Sequence, residues 1–160
     1  MVPERFRRLG IVGATLSELI VVLAIIGGLA ILGMPFLMTY WRAASLDTAA
    51  RELQAILNNG RQLAIKGNSF VCVERSGNSV RYRTGAVANC AGNIWLGAGT
   101  DSTGLITLPS AMEVSGTTAN VIFNYLGAAN PAGTYTVRNP VNLSQTLTVT
   151  VAASGRVSIP

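Results

Sequence analysis

Gly13-Ala14-Thr15-Leu16-Ser17-Glu18 opens an uncharged, mostly apolar run from Leu19 to Met38. A bilayer-spanning helix needs about 20 such residues, and the run supplies that length. A single carboxylate, Glu18, stands at its entrance, and a short leader carrying Arg5, Arg7 and Arg8 precedes it. Arginines ahead of a span keep the N-terminus cytoplasmic and send the following chain outward. A secretory signal would have a shorter apolar core with a small-residue cleavage site after it. On charge and hydropathy alone, the stretch reads as an uncleaved single-pass anchor.

The 160 residues suit one anchored domain with a modest core. Apolar residues make up 49% and charged ones only 12%, which concentrates the chemistry in few positions. Formal charge is +5; without residues 1–13, which hold Arg5, Arg7, Arg8 and Glu4, it would be +3. That balance permits contact with anions without demanding it. Histidine is absent, which removes the commonest general base and metal ligand. No serine–base pairing, paired-carboxylate motif or phosphate loop is visible. We therefore expect no catalytic residues, no metal site, no cofactor and no enzyme activity.

Within the apolar run, Ala24 and Gly28 form a small-xxx-small pair, a weak signal for close helix approach. Gly33 and Pro35 should bend or locally unwind the helix, because proline removes a backbone donor and crowds the preceding turn. Tyr40 and Trp41 read as interfacial anchors, with Arg42 beyond them. The helical period then continues: Leu46, Ala49, Leu53, Ile56, Gly60 and Leu63 mark one face of an amphipathic helix. Gly60 on that face predicts close backbone packing against a sheet. Lys66-Gly67-Asn68 supplies a stop, a cation followed by residues tolerant of positive φ.

After Gly67 the pattern changes to short β runs separated by turn residues. Val71–Val73 with Phe70, the turn Ser76-Gly77-Asn78 and Ser79 to Arg83 predict a hairpin. Further strands are expected at 93–96, 105–108, 112–114, 119–125, 134–138, 145–151 and 156–159. No crossover helix is visible to join parallel strands, so the sheets should be antiparallel. Arg81 and Arg83 alternate with Val80 and Tyr82, as on a solvated strand face. Cys72 and Cys90 would face an oxidising compartment, which favours a disulfide contributing about 3 kcal/mol in the chain-entropy picture. A redox-active pair would need a Cys-x-x-Cys spacing that is absent.

The residues from Gly13 to Glu18, followed by Leu19 to Gly27, resemble the class III signal of type IV pilins and type II secretion pseudopilins. The resemblance implies that a prepilin peptidase cuts between Gly13 and Ala14 and that Ala14 is N-methylated. It also gives Glu18 an assembly role, with the free amine of Ala14 as its partner in the same or a neighbouring subunit. A second resemblance joins Phe123 to Gly127, Gly133 to Val137, Thr148 to Val151 and Ser154 to Val157 to the GspH/FimT branch.

These resemblances imply an α+β, pilin-like fold: a long N-terminal helix packed on antiparallel β-sheets. The expected organisation is a leader over 1–13, a transmembrane assembly helix over 14–41 and a globular domain over 42–160. Within that domain the amphipathic helix covers 42–66 and the β-region 68–160. The implied function is a structural minor subunit of a type II secretion pseudopilus or a type IV pilus. Its partners would be other pilin or pseudopilin subunits, prepilin peptidase and the inner-membrane assembly platform. It would sit in the bacterial inner membrane, N-terminus cytoplasmic and domain periplasmic, and join a filament after assembly. The alternative is a DNA-binding minor pilin of natural transformation. FimT-type proteins carry Gly-Arg-x-Arg near the C-terminus; here Gly155-Arg156-Val157-Ser158 keeps one arginine, with Arg138 as a further candidate for weak DNA contact.

Overall fold

A computed structural model describes residues 15–116 and 120–160. Gly13 and Ala14, the expected processing pair, lie outside the described residues, as does Ala119 at the start of one expected strand. The chain divides between Thr39 and Tyr40 into two compact units.

One unbroken helix, α1, spans Leu16–Gly67. It continues through Gly33 and Pro35, so the proline does not end it. Among the described residues this is the helix long and apolar enough, by length and composition, to cross a membrane. Its side chains from Leu16 to Thr39 are all exposed. In the second unit Leu46, Ala49, Ala50, Leu53, Ile56, Leu57, Gly60 and Ala64 are buried. The buried stripe is broader than the expected one: it takes in Ala50, Leu57 and Ala64, while Leu63 lies at its margin. A helix covered by sheet on both sides buries more than a single row of positions. After Gly67 the helix stops at Asn68, which adopts φ 45°.

Among the described residues nine strands follow, all paired antiparallel as expected. They are β1 (Phe70–Ser76), β2 (Ser79–Gly85), β3 (Asn93–Ile94), β4 (Leu105–Thr107), β5 (Glu113–Gly116), β6 (Val121–Phe123), β7 (Gly133–Arg138), β8 (Thr146–Val151) and β9 (Val157–Ser158). The first sheet runs β3-β2-β1-β6, with β4 sharing the outer edge of β2; the second runs β5-β7-β8-β9. The β1–β2 hairpin turns through Gly77 and Asn78, with Gly77 at φ 61° as the first turn position. Glycine there lets the turn follow the twist of the strands.

Alternation sets the core. Val71, Val73, Val80, Tyr82, Val121 and Phe123 from the first sheet, and Tyr135, Val137, Val149 and Val151 from the second, are buried against the helix stripe. Gly60 permits that approach, because a Cβ there would meet Tyr82 and Val73 side chains at 3.1 Å. Two buried phenols tie the layers. The Tyr82 hydroxyl donates to the Ile56 carbonyl of α1 at 2.7 Å. The Tyr135 hydroxyl donates to the Val73 carbonyl at 3.1 Å and accepts from the Val121 amide at 3.0 Å, joining the second sheet to the first. Burial pushes the Tyr135 phenol up to about 12 and Tyr82 higher still, so both remain neutral donors.

Candidate assembly site

Glu18 is the one charged residue between Thr15 and Trp41. It occupies the first turn of α1, where the helix dipole favours an anion. Thr15 lies just before the helix, and the Glu18 amide donates to Thr15 Oγ1 at 3.4 Å. Thr15 therefore caps the helix that carries the carboxylate. Thr15-x-x-Glu18 has the spacing of a capping box, a local signal in the sequence for this arrangement. From Leu19 to Met38 the exposed apolar surface offers no polar partner to Glu18 within its own helix beyond that first turn. Pro35 lacks the N–H that would pair with the Ile31 carbonyl four residues earlier.

Cys72 and Cys90 form a disulfide with Cα atoms 5.2 Å apart. It fastens the 86–92 loop over the outer face of the first sheet, and Cys72 is fully buried beneath it. The expectation for Arg81 and Arg83 is corrected here: they are not a solvated pair. Both Nε atoms donate to Glu74 Oε2, at 2.6 and 2.7 Å, and their side chains retain only 25% and 22% exposure. Glu74 stands directly across from Arg81 in the β1–β2 register, which the sequence spacing alone does not reveal. Hydrogen bonding from Arg81, helped by Arg83, holds the Glu74 carboxyl below the usual carboxylate range. Arg83 Nη1 also donates to the Gly92 carbonyl at 3.1 Å, bracing the disulfide loop.

The two arginines considered for DNA are not brought together. Arg138 is paired with Glu113 across β5 and β7, Nη2 to Oε2 at 2.6 Å. It lies opposite Thr146 at one end of β8, whereas the Arg156 carbonyl meets the Ala152 amide beyond the other end. Six residues of strand separate those positions, about 20 Å. Arg156 is exposed, with no side-chain partner among the described residues.

Gly155 has a structural task. It adopts φ 78°, and a Cβ there would overlap the Gly127 carbonyl oxygen. That same oxygen accepts from Arg61 Nε of α1 at 2.9 Å. Gly127, at φ 80°, likewise leaves no room for a Cβ beside Arg61 and Ile65. The two glycines therefore belong to a single three-way contact between the 124–128 turn, the 152–156 turn and the helix.

Among the described residues, open clefts lie on both flanks of α1 in the folded unit. One, about 340 Å³, lies between the helix and the first sheet, bounded by Glu52, Ile56, Leu63, Tyr82, Trp95 and Ile106. The other, about 550 Å³, lies between the helix and the second sheet, bounded by Asp47, Arg51, Gln54, Leu147, Arg156 and Ile159. Among the described residues, no group of three or more metal-ligating side chains gathers in either place.

A long N-terminal helix, exposed and apolar in its first half and buried by two antiparallel sheets in its second, defines a pilin-like α+β protein. Residues 49–155 match the family described as type II transport protein GspH, and the chain belongs to that family. Among solved structures, it is similar to the type IV minor pilin FimU of Pseudomonas aeruginosa PAO1. The TM-score is 0.53 at 14% identity, covering 76% of this chain and 92% of that one. It is also similar to EpsH, a minor pseudopilin of the type 2 secretion system of Vibrio cholerae. There the TM-score is 0.52 at 12% identity, covering 72% and 96%. Identities this low speak for the fold alone. No curated protein matches the chain in sequence. The GspH/FimT assignment and the pilin-like fold both stand.

Proposed function

We propose that the chain is a structural minor subunit of a type II secretion pseudopilus or a type IV pilus, cut by prepilin peptidase after Gly13. The observation that carries this is the continuity of α1. A single helix presents an apolar, membrane-length segment headed by Glu18 and then becomes the core of a GspH-type domain. Such a part serves to join a bundle of like helices while holding a folded head outside it.

Glu18 supplies the assembly chemistry. A carboxylate among apolar helices is costly unless paired, and cutting before Ala14 creates an amine four residues away. The two groups satisfy each other within a subunit or across a subunit contact, and Ala14 is the residue methylated. Tyr40 and Trp41 set the depth of the span, with the head on the periplasmic side. Prepilin peptidase, the assembly platform and other pilins or pseudopilins are its partners. A DNA-receptor role ranks below this reading, because Arg138 is engaged by Glu113 and lies far along the sheet from Arg156.

The test is made on the full chain in a strain with active peptidase. Membrane-extracted protein should begin at Ala14, and Glu18→Ala should leave cleavage and insertion intact while lowering the fraction recovered in sheared filaments. Retention of Met1, or normal filament incorporation of Glu18→Ala, would refute the proposal.

A further inference from the structure

The loop between β7 and β8 is built inside out. Asn139, only 5% exposed, turns its side chain back, and its Oδ1 accepts from the Val141 amide at 2.9 Å. Asn142 Oδ1 accepts from the Ser144 amide at 3.3 Å and from the Ser144 hydroxyl at 2.7 Å. Main-chain bonds close the loop: the Asn139 amide donates to the Gln145 carbonyl at 3.2 Å, and the Gln145 amide to the Asn142 carbonyl at 3.0 Å. The polar side chains thus hold the backbone, while Val141 is 79% exposed and Leu143 61%. A single exposed apolar residue is ordinary. Here a braced turn holds out two of them, beside an exposed Pro140.

The ladder fixes where this loop stands along α1. Gln54 Nε2 donates to the Val157 carbonyl at 3.3 Å, and Val157 faces Val151 of β8. From there β8 follows the helix back toward its N-terminal end, because Leu147 borders the same cleft as Asp47 and Arg51. Val151 to Gln145 covers about 20 Å of strand. Gln54 to Trp41 covers about the same length of helix. The Asn139–Gln145 pair therefore comes level with Trp41, and Val141 to Leu143 turn over at that end of the folded unit. Tyr40 and Trp41 are themselves 69% and 61% exposed there.

We propose that this loop dips into a lipid surface, seating Val141 and Leu143 beside Trp41 at the boundary of headgroups and acyl chains. The proposal rests on the membrane-anchored subunit reading above and adds a second point of attachment, separate from the helix. What covers the loop follows from its position: it continues the aromatic girdle of Tyr40 and Trp41, where the chain passes into its apolar, membrane-length segment. Removing both side chains from water favours that seating. The charges bordering the loop do not oppose it. Asp47 and Glu113 are each paired with an arginine, Arg51 and Arg138, and the exposed Arg42 adds a positive charge that suits anionic headgroups. A helix alone leaves the head free to swivel about its axis; a second contact off that axis fixes which side of the head faces outward.

The test uses the full chain at one copy per lipid nanodisc of phosphatidylcholine and phosphatidylglycerol. Leu143→Cys carries an environment-sensitive dye on its thiol, with Cys72–Cys90 left bridged. Leu126→Cys carries the same dye as the reference: Leu126 is 73% exposed and sits in the 124–128 turn, beside Arg61 and Ile65 at the other end of the unit. Acyl chains bearing a shallow nitroxide should quench the dye at 143 roughly threefold more than at 126, because interfacial seating reaches about 5–10 Å into the boundary. Val141→Asp in the Leu143→Cys protein should bring quenching to within about 1.5-fold of the reference. Thermal unfolding of each variant reports that the head has folded; where Val141→Asp lowers it, Val141→Ser takes its place, with about half the fall in quenching expected.

Equal quenching at 143 and 126, or indifference to the substitution at Val141, would overturn the proposal. So would shielding of the 143 dye that appears only in discs holding two copies, since the occupant would then be another chain. Co-elution with the discs separates the two readings. A co-eluting chain with an unquenched loop overturns this contact alone, whereas a chain that elutes apart from the discs overturns the membrane-anchored reading and the contact with it.

Discussion

Replacing Gly155 with alanine tests whether the Gly155-Arg156 turn exists for folding or for binding. The backbone at 155 is held at φ 78°, where an alanine costs roughly 1–2 kcal/mol. The added Cβ would overlap the Gly127 carbonyl oxygen and stand 3.1 Å from Arg61 Nε. The turn must therefore move, and the Arg61–Gly127 hydrogen bond at 2.9 Å is broken or stretched. A hydrogen bond to a charged donor contributes about 1.5–3 kcal/mol. The two effects share one contact and do not simply add, so we expect a loss of about 3–4 kcal/mol. For a unit of this size that lowers Tm by roughly 10–20 °C. Arg156→Ala is the control: its side chain is exposed and unpaired, so the change should stay within about 0.5 kcal/mol. Thermal unfolding of the full chain in detergent, followed by circular dichroism, makes the comparison. A Gly155→Ala protein melting within 3 °C of wild type would refute the three-way contact. So would an Arg156→Ala protein destabilised as much as Gly155→Ala.

Other perturbations follow from the same geometry. Cys72→Ala should cost about 2–5 kcal/mol, and thiol reagents should label neither cysteine in unreduced native protein; free reaction of both would contradict the bridge. Glu74→Gln should cost about 1–3 kcal/mol at pH 7, since two half-buried guanidinium groups lose their counter-charge. Because the folded Glu74 carboxyl titrates below its ordinary range, its contribution is complete above about pH 4.3 and is lost as pH falls through the folded value. The stability gap between Glu74→Gln and wild type should therefore close in acid, and an equal gap at pH 7 and pH 3 would remove the argument. A fragment starting at Tyr40 should unfold cooperatively, whereas one starting at Asn68 exposes the sheet faces that the helix covers and should aggregate; equal stability would disprove the packing.

The sequence made the helix and most strands legible because their periods are local properties. Leu46 to Leu63 repeats every three to four residues, and the turn at Gly77-Asn78 marks its own hairpin. The partition of strands between sheets was not legible. β5 joins the second sheet and β6 returns to the first, yet both are short stretches of three or four residues whose partners lie far along the chain. A different limit hid the Glu74–Arg81–Arg83 cluster: the expected turn ran over Ser76-Gly77-Asn78, whereas Gly77 and Asn78 alone form it, and that one-residue difference decides which residues face each other. Runs placed at 93–96 and 156–159 shrink to two residues each, because hydrogen bonding at a sheet edge stops before the apolar pattern does. The Gly127–Gly155 contact joins residues 28 apart in sequence, each of which looked like an ordinary turn glycine.

The burial of α1 from Leu46 to Ala64 also has a mechanical consequence. A pull on the anchoring segment travels along an unbroken helical backbone straight into those eight buried positions. To release the helix, the load would have to slide them past both sheets together and break the Tyr82–Ile56 and Arg61–Gly127 hydrogen bonds in the same motion. Contacts loaded in parallel share the force, whereas a strand peeled from a sheet edge yields one bond at a time. The disulfide lies off this path, between β1 and the 86–92 loop. Resistance to extraction is thus set by the packing of the helix, and reducing Cys72–Cys90 would leave the direct line of tension intact.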